Sequence, residues 1–152
     1  LEIGVVCLIL GIIAAIAVPQ LHKAIVAARG EAVVNDLRVF TQAFQHFVQE
    51  KGDWPAEDST PGFYPPGMEG YLRESNWCRP TPIGGYYVWN YHSLQQGTHV
   101  RAAIALNSMG TNQVSAERIQ LENIDRRMDD GNLLSGLFRL GFGDEPVYIL
   151  EQ

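Results

Sequence analysis

Hydrophobic and polar positions divide the first fifty residues into two patterns. Residues 3 to 18 are apolar throughout, held between Glu2 and Pro19. After Pro19 the pattern turns amphipathic. Val26, Val33, Leu37, Phe40, Phe44 and Phe47 follow spacings of 7, 4, 3, 4 and 3, which trace one face of an α-helix. Leu21, Ile25, Ala28, Ala32 and Val39 form a second stripe, about 100° round the axis at ~3.6 residues per turn. Glu31, Asn35, Arg38, Gln42, Gln45 and Gln49 take the remaining face, and Gly52 supplies a stop. The pattern predicts one helix from near the start to about residue 50, bent or melted near Pro19. At ~1.5 Å per residue it would extend about 75 Å, far more than a small head domain is wide. One stripe can pack on the chain's own head. The second stripe, and a first half that is apolar all round, need other partners.

The remainder is patterned as a small α+β head. Residues 53–85 are rich in Pro and Gly and predict a long ordered loop packed down by Trp54, Phe63, Tyr64, Tyr71 and Trp77, with short helical turns around 67–74. Strand-like runs occupy 84–92, 98–107, 138–142 and 147–152. In the second of them Val100, Ala102, Ile104 and Leu106 alternate onto one face. Together they predict an antiparallel sheet of about four strands against the helix face carrying Leu37, Phe40, Phe44 and Phe47. One extra helix runs from a Ser115 cap to about Met128, with Val114, Leu121, Ile124 and Met128 inward. Its charged face, Glu117, Arg118, Glu122, Asp125 and Arg126, reads as solvated surface. The organisation is thus an apolar stalk at 1–22, an amphipathic half-helix at 23–52 and a globular head at 53–152.

Charge sharpens this division. Residues 1–52 are neutral, whereas 53–152 carry seven Arg and no Lys against thirteen Asp or Glu. The whole net charge of −6 lies on the head, which argues against a nucleic-acid partner. Cys7 in the apolar run and Cys78 in the loop are too far apart in this plan to pair. The run also lacks the basic start and cleavage site of a signal peptide.

Candidate chemistry is sparse. No phosphate-binding Gly loop, nucleophile elbow or Cys cluster is present, so no enzymatic activity is expected. His22 and His46 fall on the long helix without a second ligand, and His92 and His99 flank a hairpin. Asp129, Asp130 and Asn132 surround Gly131, with Asp144 and Glu145 further on. Acids at a helix C-terminus oppose the helix dipole. They are either exposed and paired to Arg126 or Arg127, the reading the sequence favours, or ligands for a calcium ion. Three such residues are few for calcium, so no cofactor is the expectation.

Glu2 is the informative charge, because a carboxylate heading an apolar run is costly unless it has a function or a partner. Leu1, Glu2, Gly11, Ala14, Ala15, Ile16, Ala17, Val18 and Pro19, taken in register, resemble the N-terminus of type IV pilins and of the pseudopilins of type II secretion. The resemblance covers about the first thirty residues. The family's N-terminal methylated Phe has no counterpart here, because the chain starts three residues further in. "KGDWP" (Lys51 to Pro55) and "DDGN" followed by "SG-LFR" are similar to patterns found in prepilin-type proteins.

The resemblance implies a homo-oligomeric structural subunit. It would enter the inner membrane as a precursor, be clipped by a prepilin peptidase and be polymerised by an assembly ATPase machine into an extracellular or periplasm-spanning filament. Glu2, Gly11 and Pro19 are then assembly residues, with Glu2 expected to meet the N-terminal amine of a neighbouring copy. Val5, Val6, Leu8, Ile9, Ile12, Ile13, Ile16, Leu21 and Ile25 would pack the filament core. Residues 12–18 would be non-helical in the assembled state. The competing expectation is a membrane-anchored extracytoplasmic binding or adhesin module that does not polymerise.

Overall fold

The computed structural model describes residues 2–152. Helix α1 spans Glu2–Lys51, and Gly52 closes it, its N–H donating to the Val48 carbonyl at 2.8 Å. The helix continues through Pro19. Melting near Pro19, one of the two sequence expectations, is therefore absent from the isolated chain. Pro19 removes one hydrogen bond, to the carbonyl of Ala15, and the bonds of the neighbouring turns hold the backbone helical. The lower half of α1 buries Val33, Val34, Leu37, Phe40, Phe44 and Phe47, with Val26 half-buried. The first predicted stripe is thus the face that packs on the head.

After α1 come α2 (Glu74–Trp77), β1 (Tyr86–Gln95), β2 (Thr98–Asn107), α3 (Arg118–Met128), β3 (Phe138–Leu140), a 3-10 turn (Phe142–Asp144) and β4 (Pro146–Glu151). Among the described residues the strands form one antiparallel sheet in the order β1-β2-β4-β3. The β1–β2 hairpin turns on Gln96 and Gly97, both left-handed, the geometry that matches strand twist in a two-residue turn. The third predicted strand is two residues shorter than expected: β3 ends at Leu140, and Phe142 belongs to the 3-10 turn.

Aromatic contacts join α1 to the sheet. Phe44 stacks on Trp89 with ring centroids 4.0 Å apart. Phe40 meets Trp77 and Tyr87 edge-on at 5.1 and 4.8 Å. The long loop is held by the polar ends of the same rings: Trp77 Nε1 donates to the Phe63 carbonyl and Trp89 Nε1 to the Pro55 carbonyl. Trp54, Tyr64 and Tyr71 pack against the core as expected. Phe63 does not; it is 57% exposed, and it is tied in through its main chain, whose carbonyl accepts from Trp77 and whose N–H donates to the Thr60 carbonyl. The loop makes the expected helical turn within 67–74, where the Leu72 N–H donates to the Met68 carbonyl at 3.1 Å, and α2 follows it at Glu74–Trp77.

Three further expectations are corrected. Val100 lies on the sheet face away from α1, clustered with Val88, Ala103, Ala105, Val147 and Ile149. His92 has φ 52, and the β2–β4 register shifts between Ala102 and Ala103. These irregularities break the strict alternation on which the assignment rested. Ser115 does not cap α3. Its hydroxyl donates to the Ile83 carbonyl at 3.1 Å, tying the preceding segment to the loop, and Glu117 occupies the cap position without a side-chain bond. Finally, Asp125 is not solvated but 0% exposed. Its helix lies against α1 at Gly30, where a Cβ would stand 3.4 Å from Ile124 Cγ1. Gln120 Nε2 donates to the Val26 carbonyl at 2.8 Å across the same contact.

Candidate functional site

The stalk is the largest feature left without a partner. Every described residue from Glu2 to Ile25 is exposed, including Val5, Val6, Leu8, Ile9, Ile12, Ile13, Ile16, Leu21 and Ile25. Gly4 and Gly11 have open space around them. The helix is long and apolar enough to cross a membrane, and the apolar window is wholly uncovered by the rest of the chain. Twenty-four residues at ~1.5 Å each extend about 36 Å, slightly more than the ~30 Å hydrocarbon core of a bilayer.

The second stripe persists where α1 meets the head. Ile25 is 42% and Val39 46% exposed, Ala28 is exposed and Ala32 half-buried. The head covers one side of α1 and leaves this one bare. At the junction, α1 and α3 bound an open groove of about 800 Å³ whose walls include Val26, Ala27, Ile119 and Ile124. Ile119 is itself exposed. The Leu37, Phe40, Phe44 and Phe47 side chains, by contrast, are satisfied within the chain.

A polar cluster missed in the sequence fixes the helix to the sheet. Asp36 lies among the apolar residues of the packed face and is almost fully buried. Arg79 Nη2 reaches both its oxygens at 2.8 Å, and the Tyr87 hydroxyl donates to Oδ2 at 2.7 Å. Burial, reinforced by the Asp36 charge, raises the Tyr87 hydroxyl far above the usual tyrosine range, so this proton stays in place. The sequence signal was the lone acid between Val33 and Leu37, which on a core face demands a buried partner.

The acidic segment after α3 is arranged differently from the expectation. Asp125, Asp129 and Asp130 each offer a carboxylate oxygen within 4.8 Å of the others. Asn132 turns away from that role: its Oδ1 accepts from the Leu134 N–H, and its own N–H donates to Asp130 Oδ1. Asp129 accepts from the Leu137 N–H, and Asp130 Oδ2 from the Ser135 hydroxyl. Neither oxygen of Asp125 meets a full hydrogen bond, although the nearby Gly131 amide partly favours its charged form. Burial first, and the charge of Asp130 second, push the Asp125 carboxyl up to about 6.

The arginines expected to neutralise these acids are engaged elsewhere. Arg126 donates to Asn123 Oδ1 at 2.9 Å, and Arg127 pairs with Glu31 on α1. Gly136 explains the "SG" of the motif. Its φ is 79, and a Cβ there would collide with the Asp129 carboxylate, so the chain can fold over Asp129 only as glycine. Asp144 and Glu145 lie apart from this cluster: Gln96 bonds Asp144 and the Ser108 N–H bonds Glu145.

Neither a family model nor a curated protein matches the chain.

Proposed function

We propose that the protein is a structural subunit of a type IV pilus-like filament, extracellular or spanning the periplasm, with the N-terminal helices of many copies forming its core. One observation carries this reading. The uncovered apolar surface of α1 does not end where a bilayer would end but continues along Ile25, Ala28 and Val39 beside the folded head. A membrane can cover the first ~20 residues. It cannot reach Val39, about 28 Å further along the axis at ~1.5 Å per residue. A neighbouring helix of another copy covers both regions with one kind of surface.

The resemblance of residues 1–30 to prepilin-type stalks supports the same reading, as does the position of Glu2. In hydrocarbon its carboxylate costs several kcal/mol without a partner. The N-terminal amine of an adjacent copy would neutralise it, making charge pairing part of assembly. Before assembly, the stalk would hold the subunit in the inner membrane, where a prepilin peptidase and an assembly ATPase machine act on it.

The second reading is a membrane-anchored extracytoplasmic module that binds through its head and stays monomeric. The exposed length of the stalk favours it as much as it favours a filament, but the bare second stripe has no use in it. Electron microscopy of material sheared from cells that express the protein abundantly separates the two. Thin filaments that label with antibody to the head are expected. Their absence, with the protein intact in the membrane fraction, would overturn the filament reading in favour of the anchor.

A further inference from the structure

The geometry points to a pocket for a lysine side chain carried on a polypeptide, on the face of the sheet turned away from α1. A pocket of about 210 Å³ opens there between β1, β2 and the turn that precedes β4. Asn90 and Asn107 lie toward its opposite ends. They share the face that carries Val88 and Ala105, and the β1–β2 register, in which Tyr86 pairs with Asn107, sets them four residues apart. That is about 14 Å at ~3.4 Å per residue. Ala105 and Val147 form an apolar floor between them. Asn90 is the group that the fold leaves unexplained. Among the described residues none bonds to its carboxamide, although Asn90 lines the pocket and is only 6% exposed. A carboxamide buried to that extent carries donors and an acceptor that need partners.

The lining selects the chemistry of the occupant. It holds no Lys, Arg or His, and Glu145 is its one charged residue, on a head that carries the chain's whole net charge of −6. Such a pocket attracts a cation and repels an anion. Glu145 Oε1 accepts from the Ser108 N–H at 2.7 Å, which fixes the carboxylate at the Asn107 end and leaves Oε2 for a ligand. A guanidinium pairs best with two carboxylate oxygens in a fork, whereas an ammonium is a compact charge that needs one. Lysine also brings a four-carbon stem. The apolar floor suits that stem, and Leu94 and Phe142, 54% and 80% exposed, wall it at the sides. At the other end the Asn90 carboxamide, donor and acceptor together, matches the main-chain peptide group from which the stem departs. The Phe142 wall is held in place. Its N–H donates to Gln95 Oε1 at 2.9 Å, and a Cβ on Gly141 would collide with that oxygen and stand 2.9 Å from Val147 Cγ1, so only glycine lets the turn close on the pocket. This inference does not depend on whether the protein polymerises.

The test uses the isotopically labelled full chain in detergent, followed by nuclear magnetic resonance. The probe is lysine blocked at both ends, as the N-acetyl methylamide. The same derivatives of norleucine, which keeps the stem without the charge, and of arginine are the comparisons, with glucose as a neutral polar control. Saturable shifts are expected at Asn90, Phe142 and Glu145 with the lysine derivative at millimolar concentration, and at least tenfold weaker binding of the other three. Glu145→Gln keeps an acceptor for the Ser108 N–H and removes the charge, so it should leave the chain folded and weaken lysine binding tenfold or more. Asn90→Ala should weaken the lysine and norleucine derivatives alike. Should either variant fail to fold, the comparison of lysine with norleucine on the unaltered chain still decides the role of charge. No saturable shift at these residues overturns the site, as does lysine binding that survives both substitutions. Equal binding of norleucine or arginine, or tighter binding of glucose, overturns the assignment to lysine.

Discussion

Two carboxylates in similar apolar company are treated in opposite ways. Asp36 has a full set of partners in Arg79 and Tyr87, and Asp125 has none. Asp36→Ala strands the Tyr87 hydroxyl, which is wholly buried, and frees Arg79. A loss of roughly 2–4 kcal/mol is expected, the range for breaking a buried charged hydrogen-bond pair with one partly exposed partner. Asp36→Asn keeps an acceptor for Tyr87 and should cost less. Urea unfolding of the full chain in detergent measures both; equal losses would show that the ion pair, not the tyrosine bond, dominates. At the other end of the molecule, Glu2→Gln should leave the chain folded and membrane-inserted while reducing filament number. Normal filament numbers from that variant would remove Glu2 from assembly.

At the scale of elements, α1 serves two environments with one continuous backbone. Its C-terminal half is fixed by burial: Phe44 is wholly enclosed and stacked on Trp89. Phe44→Ala should destabilise the head by about 3–5 kcal/mol, the usual cost of emptying a large core site. Its N-terminal half is held only by its own hydrogen bonds, and between Gly11 and Pro19 these are weak. Gly11 favours helix by about 1 kcal/mol less than Ala. Pro19 leaves the Ala15 carbonyl without its helical donor and pushes Val18 away from helical angles. In a bilayer the segment must remain helical, because unpaired backbone groups are too costly there. In a filament, neighbouring copies can cover an extended stretch. Residues 12–18, helical in the isolated chain, are therefore expected to be non-helical after assembly, each adding about 1.8 Å to the stalk. Unbroken helical hydrogen bonds from Gly11 through Ala17 in a filament map would refute this.

At the scale of the whole molecule, the surface divides into an acidic head and an apolar handle, and the bare second stripe runs along both. Val39→Glu tests whether that stripe is an interface. Val39 is nearly half exposed in the isolated chain, so a glutamate there should change head stability by no more than about 0.5 kcal/mol, as surface substitutions do. Buried between copies, the same carboxylate would lack a partner and block assembly. A folded, membrane-inserted protein that forms few or no filaments is the expected outcome. Wild-type filament numbers would show that this side of α1 faces water in the assembly.

Periodicity alone was sufficient wherever one physical demand acted along a continuous element. Burial on one side of a helix every 3.6 residues sets Val33, Leu37, Phe40, Phe44 and Phe47 inward, and the alternating run of β2 ended at the predicted residues, Thr98 and Asn107. The uncovered stalk was legible for the same reason: an apolar run with no polar face cannot be satisfied by a single small head. Where contacts join segments distant in sequence, pattern failed. Asp125 stands four residues after Leu121 and four before Asp129, a spacing that puts it at the edge of the inward face, but only the packing of α3 on α1 and the return of the 129–137 loop decide that water is excluded from it. Tertiary contacts likewise decided that Ser115 bonds the Ile83 carbonyl instead of capping a helix, that Val100 joins the far face of the sheet, and that Arg127 reaches Glu31 and leaves the acidic loop without a counter-charge. Each of these depends on the direction a side chain takes in a three-dimensional setting, which local spacing does not encode.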